Sequence, residues 1–290
     1  MTVSPTGTVD AHVHLWQRAR TPQDWIDPKS MRAIDRDFWF DDLDKVLTAN
    51  GVSAAVIVQA SNSSQETHDL LTANLPPMVG AIVGWIDLES PFVEKAIDDA
   101  KATQNGAFLS GVRHLAHVDP DPHWLTNPSV ARGLDALESA GLSFDLVVTA
   151  EQLADGAKVA GEHPGLTFVL DHLGKPALRS ADISGWESAL RALAEFPNVF
   201  AKVSGLTMEA DWARWNVGDL ERAVTVALEC FGPQRLMFGS DWPLVEVCGG
   251  YGSWIDAAID LTASLSAGER DAIFFGTART AYRISGPAYA

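Results

Sequence analysis

Eight short apolar runs, rich in β-branched and aromatic residues, constrain the fold of this chain more than any other feature. They are TVDAHVHL (8–15), SAAVIVQA (53–60), GAIVGWIDL (80–88), LSGVRHL (109–115), LSFDLVV (142–148), LTFVLDHLG (166–174), VFAKVSGL (199–206) and RLMFGSDWP (235–243). Runs of this length and composition, bounded by turn residues, predict β-strands. Between most of them lie stretches of helical periodicity, among them DDLDKVLTANG, PFVEKAIDDAKATQNG, PSVARGLDALESAG, AEQLADGAKVAGEHPG and ISGWESALRALAEFPN. Several of these end on Gly or a Pro-containing turn, where helices stop. Eight strands alternating with helices predict a closed (β/α)8 barrel, a TIM barrel, rather than an open doubly wound sheet. No glycine-rich phosphate fingerprint follows the first strand, which also argues against a dinucleotide-binding fold.

A length of 290 residues accommodates such a barrel as one domain over 1–290, with closing helices from about 250 to 290 and no linker or composition shift to mark a second unit. The net charge of −17 argues against nucleic acid and anionic membranes as partners, since both select basic surfaces. No apolar run reaches the ~20 residues of a membrane span. The stretch MTVSPTGTVD has neither the basic nor the apolar region of a signal peptide, so a cytoplasmic location is expected. Cys230 and Cys248 are too few for a disulfide framework and lack zinc-site spacing, which predicts free thiols. The expected partner is a small molecule, and homo-oligomerisation stays open.

Within the predicted strands the polar residues gather at the C-terminal ends, where barrel enzymes build their sites. His12 and His14 close the first strand, and residues two apart in a strand project to one face. Gln59 closes the second, Trp85 and Asp87 the third, Arg113 and His114 the fourth. Asp145 lies on the fifth, Asp171 and His172 on the sixth, Lys202 and Ser204 on the seventh, and Ser240 and Asp241 on the eighth. So many ionisable groups on one rim would be costly as packing alone, which points to a functional site.

The segments VDAHVHLW, GVRHL, VLDHLGKP, AKVSGL and LMFGSDWPL resemble, in order and spacing, the lactonase-like branch of the amidohydrolase superfamily, which includes sugar-lactone and muconolactone hydrolases. The resemblance runs from residue 9 to about residue 243. It implies that His12, His14, His172 and Asp241 surround the reaction centre, as metal ligands or as groups that bind and activate the substrate. Two imidazoles and a carboxylate suit zinc or a similar divalent ion. Binuclear members carry a bridging carboxylated lysine or a glutamate on strand 4 and a histidine on strand 5. This chain offers Arg113, His114 and Asp145 there, so one divalent ion at most is expected, and the resemblance also admits a site with none.

In this reading Asp241 is the general base on water, His172 assists, and Arg113 and Lys202 hold the developing oxyanion. Arg113 has a structural alternative, pairing with Asp145 or Asp87. Gln59, Trp85, Arg113, His114, Trp16 and Trp242 are the expected substrate-binding residues; indoles suit the C–H face of a sugar ring. Of His114 and His117 in RHLAH, at most one faces the site, and His114 is preferred. His68, His123 and His163 are expected on the surface. The connection QRARTPQDWIDPKSMRAIDRDFWF is long for a βα loop, has no clear helix, and is expected to serve as a lid or binding loop.

The activity expected is hydrolytic opening of a five- or six-carbon aldonolactone. The acidity of the chain favours a neutral lactone over a carboxylated muconolactone or pyrone-type one. Two alternatives stand beside it: a metal-dependent decarboxylase of the same superfamily, and a non-catalytic ligand-binding barrel.

Overall fold

A computed structural model describes residues 7–180 and 182–285. Residues 1–6, which carry part of the stretch read for a signal peptide, lie outside it, as do the last five residues of the expected closing segment. Eight strands form one parallel sheet in sequence order: β1 Val9–Val13, β2 Ala54–Val58, β3 Val79–Gly84, β4 Leu109–His114, β5 Ser143–Leu146, β6 Phe168–Leu170, β7 Val199–Val203 and β8 Leu236–Phe238. The sheet curls until its edges meet. His14 N donates to Trp242 O at 2.7 Å and Asp241 N donates to His12 O at 2.9 Å, so the residues that join β1 to the end of β8 are those of the candidate site. This is the (β/α)8 barrel that the eight runs predict.

The strands are buried on both faces, as parallel strands wrapped by helices must be, which explains why they read as continuous apolar runs. Small and branched residues fill the interior: Ala11, Ala54, Val56, Ala81, Val83 and Val169 cluster there with Tyr282 and Ile284 from the chain's last turns. A larger apolar layer joins the outer strand faces to the helices. Among the described residues no helix is long and apolar enough to cross a membrane.

The strands are shorter than the apolar runs. β6 stops at Leu170 and β8 at Phe238, because His172 and Asp241 take left-handed backbone angles, φ 54° and 61°, which no strand accommodates. The helices Ser64–Thr72 and Val217–Phe231 stand beside the expected ones. Both open on side-chain caps, Ser63 Oγ accepting from Glu66 N and Asn216 Oδ1 accepting from Gly218 N, and the second also buries an apolar stripe of Leu220, Ala223, Val224, Ala227 and Phe231. The long connection after β1 holds only a short 3-10 turn at Arg32–Ile34, and Trp16 and Phe38 tie its two ends by reciprocal backbone hydrogen bonds at 3.0 Å.

Gly239 lets the rim close. A Cβ at this position would lie 2.9 Å from His12 Cβ and 3.0 Å from Ser204 Cβ, inside the packed barrel. Gly239→Ala should destabilise the fold by about 1–3 kcal/mol, as overpacking of a core does. Denaturant titration checks this: the midpoint should fall with an unchanged slope, and an unchanged midpoint would show that the rim has slack.

Candidate active site

The floor of the barrel mouth is a cluster of three imidazoles around one carboxylate. His12 Nε2 and His14 Nε2 face each other at 3.1 Å, and Asp241 Oδ1 stands 3.4 Å from His14 Nε2, 3.7 Å from His12 Nε2 and 4.0 Å from His172 Nε2. All four side chains are buried. Asp241 Oδ1 accepts no hydrogen bond, which is unusual for a buried carboxylate oxygen. Each partner ring is fixed from behind. His14 Nδ1 is 2.8 Å from Val58 O, a carbonyl that can only accept, so Nδ1 carries a proton and Nε2 is turned to His12 and Asp241. His172 Nδ1 lies 2.9 Å from Ser204 Oγ. Gly205 gives the ring room, since a Cβ there would meet His172 Nδ1 at 2.5 Å.

The backbone is also held from behind. Asp10 Oδ1 accepts from His12 N at 3.0 Å and Ser240 N at 2.8 Å, and its Oδ2 accepts from Tyr251 Oη at 2.8 Å. Asp10 thus ties β1 to the turn that carries Asp241. It sits inside the VDAHVHLW motif, but an aspartate inside a strand gave no sign of this role.

Beneath the floor lies a sealed network of charges. Lys202 Nζ reaches Asp145 Oδ2 at 2.7 Å, Asp171 Oδ1 at 2.8 Å and His12 Nδ1 at 3.0 Å. Arg113 donates to Asp171 Oδ2 at 2.9 Å and to the backbone carbonyl of Gln59. Asp171, rather than Asp145 or Asp87, is therefore the partner of Arg113. Burial pushes the Asp171 carboxyl up, but Lys202, His12 and Arg113 together hold it well below the usual carboxylate range. Burial and the Lys202 charge push His12 well below the usual imidazole range.

Above the floor, a cavity of about 450 Å³ opens at the C-terminal end of the barrel, with His14, His172, Asp241, Arg113, His117, Lys175 and Glu209 supplying its polar groups. Trp16 and Trp25 supply aromatic wall, their rings edge to face with centroids 6.2 Å apart. The structure thus brings His14, His172, Asp241, Arg113 and Trp16 to the mouth, with His12 just below.

Five other expected residues do not line this cavity. Lys202 is fully buried under His12, with its ammonium enclosed by His12, Asp145 and Asp171, and it does not line the cavity. Gln59 lies behind Arg113, donating to its carbonyl at 3.1 Å. His114 points away: its ring stacks on Trp124 at 3.7 Å, with Asp119 at 2.9 Å and Trp85 Nε1 at 3.2 Å. Trp85 lines an outer groove, and Trp242 packs against Phe38. The turn after β4 lets His117 face the mouth instead of His114. His68 and His123 are exposed as expected, but His163 is buried and contacts Asp135 at 3.0 Å.

Asp241 combines opposing effects. Burial pushes its carboxyl up, yet His172, the His14 contact and His12 hold it well below the usual range. Burial, offset in part by Asp241 and Asp171, lowers His172 to about 4. His117 falls to about 3, through burial and then the charges of Lys175 and Arg113. Both rings are therefore neutral when folded and take up a proton when unfolded below about pH 6.5. The unfolded state binds more protons there, so stability is full above pH 6.5 and is lost as pH falls towards 4 and then 3. Melting curves between pH 4.5 and 7 should show this loss. His117→Asn should make the slope shallower by up to one proton, and an unchanged slope would contradict the assignment.

Known proteins share the sequence pattern and the fold of this chain. The profile of the amidohydrolase family matches residues 9–284. An L-fucono-1,5-lactonase of Burkholderia multivorans is 35% identical over 293 residues, covering 97% of both chains. The crystal structure of an amidohydrolase from Burkholderia multivorans with bound zinc superposes with a TM-score of 0.88 at 34% identity, covering 96% of this chain and 99% of that one. The structure of a putative 2-pyrone-4,6-dicarboxylic acid hydrolase from Pseudomonas putida, at 21% identity and a TM-score of 0.78 over 97% of this chain and 99% of that one, shares the fold. The chain belongs to the amidohydrolase family, in which its relatives at 34–35% identity over nearly their whole length are L-fucono-1,5-lactonases.

Proposed function

We propose that this protein opens the lactone of a neutral sugar acid, with a six-carbon aldonolactone such as the substrate named for its Burkholderia relative as the first candidate. The observation that carries the reading is Asp241 Oδ1: a buried carboxylate oxygen without a hydrogen-bond donor, ringed by three imidazoles, at the floor of a cavity with aromatic walls. An acceptor left open in that way suits a water molecule that must be held and deprotonated.

The residues divide the work as follows. Trp16 and Trp25 take the apolar face of the ring, which sets the carbonyl over the floor. A water held between Asp241 and the His14 Nε2 lone pair attacks the carbonyl carbon while Asp241 accepts its proton. The carbonyl electron pair moves onto oxygen, and the Arg113 guanidinium beside the cavity stabilises that charge. The tetrahedral species collapses, the bond from carbonyl carbon to ring oxygen breaks, and Asp241 returns the proton to the leaving oxygen. The product is the open hydroxy acid.

The same donor set fits one divalent ion. Zinc ligands at about 2.0–2.1 Å in a tetrahedron lie about 3.3 Å apart, close to the 3.1, 3.4 and 3.7 Å separations among His12, His14 and Asp241. His14 Nε2 and Asp241 Oδ1 are free to ligate. His12 Nε2 joins them in the tautomer whose Nδ1–H faces Asp171 Oδ1, 3.3 Å away, whereas Lys202 at 3.0 Å favours the opposite tautomer. His14 and Asp241 are thus the firmer half of the set. When bound, such an ion would acidify water and polarise a carbonyl, which suits a carboxylate as weakly basic as Asp241.

A pH-indicator screen of aldonolactones tests the reading. The wild-type protein should release one proton per lactone without CO2, which a decarboxylase would release. Asp241→Asn should lower kcat about 100- to 10,000-fold in protein that stays folded, the range for loss of a general base. Hydrolysis of no sugar lactone, or full activity in Asp241→Asn, would overturn it.

A further inference from the structure

Two charged side chains in the mouth have no role in the steps above. Lys175 and Glu209 face each other across it, Lys175 Nζ to Glu209 Oε1 at 2.6 Å, and both line the cavity that holds His14, His172 and Asp241. Their side chains are 24% and 23% exposed, so the pair is neither a solvated surface contact nor sealed inside the barrel. Lys175 is positioned by an unusual backbone: His172, Leu173, Gly174 and Lys175 all have positive φ, between 51° and 70°, and Lys175 N donates back to His172 O at 2.9 Å. A run of left-handed residues is costly, persists only where the surroundings enforce it, and is typical of ligand sites. Glu209 ends the short helix Leu206–Glu209 that follows β7.

We infer that the Lys175–Glu209 pair determines substrate specificity, clamping hydroxyl groups of the lactone and excluding lactones that carry a carboxylate. The pair presents spare ammonium protons beside a free carboxylate oxygen. Hydroxyls use both, since each donates and accepts. A carboxylate only accepts, and here it would be placed against Glu209. The other cation in the mouth, Arg113, is anchored by Asp171 and the Gln59 carbonyl at the floor, where its remaining edge serves the reacting carbonyl, and among the described residues no second arginine lines this cavity. His117, held neutral beside them, adds no charge. This inference rests on the reading of the cavity as a lactone site, which it deepens.

Galactonolactone and galactarolactone of one ring size form a matched test pair, differing in a hydroxymethyl group against a carboxylate. Wild type should prefer the neutral lactone. Glu209→Gln keeps the shape and removes the opposing charge; it should lower kcat/KM for the neutral lactone about tenfold and raise it for the carboxylated one, as expected for exchanging one charge-assisted contact. Lys175→Met should weaken the neutral lactone without any gain for the carboxylated one, and combined with Glu209→Gln it should cancel the gain. An unchanged ratio of the two substrates in Glu209→Gln, or an equal fall in both, would overturn the inference. Binding of the two lactones, followed by quenching of the mouth tryptophans, separates this outcome from failure of the hydrolytic reading. A protein that cleaves neither lactone but whose binding preference shifts in Glu209→Gln retains the charge filter, and one whose preference stays put loses it.

Discussion

The candidate site depends on one buried ammonium. Lys202 sits inside the barrel at zero exposure, with Asp145, Asp171 and His12 as its acceptors. A charge so placed is tolerated only with full compensation, and removing it would leave Asp145 without a counter-charge and Asp171 with Arg113 alone, a loss of several kcal/mol. The effect is felt upward. Asp171 is held ionised between Lys202 and Arg113, and that pairing fixes the guanidinium whose edge reaches the mouth. His12 is fixed by the same ammonium and carries the face of the cluster that meets His14 and Asp241. Tyr282, from the last helical turns, donates to Asp145 at 2.7 Å and so connects this network to the far end of the chain.

Backbone strain provides the second constraint. Asp241 and His172 both stand in the left-handed region, which costs of order 1–3 kcal/mol for a residue other than glycine. Both belong to turns that leave a strand after only three residues. A strand would alternate its side chains between barrel interior and helix layer; these turns instead point two polar groups along the barrel axis. The cost is offset by rigid supports: Asp10 under Ser240 and His12, Ser204 under His172, and Trp186 Nε1, which donates to Leu173 O at 2.7 Å.

These two constraints explain what could be read from the sequence. The barrel was legible because parallel strands buried on both faces leave uninterrupted apolar runs, and the rim was legible because His12, His14, His172 and Asp241 interrupt those runs at their C-terminal ends. Direction within the rim was not. Lys202 lies on β7 and Gln59 just past the end of β2, yet Lys202 turns inward below the floor and Gln59 lies behind Arg113. His114 and His117 straddle the end of β4, where a 3-10 turn at Ala116–Val118 breaks strand alternation and gives the mouth position to His117. Lys175 and Glu209 could not be paired from sequence, since they meet only because β6 and β7 are neighbours.

The family relationship and the geometry converge on acyl transfer to water. The most direct test is a single turnover of an aldonolactone in 18O-labelled water. Attack on the ring carbonyl predicts that the label appears in the carboxylate of the product and not in the hydroxyl released from the ring. Label in that hydroxyl, or no turnover at all, would contradict the account.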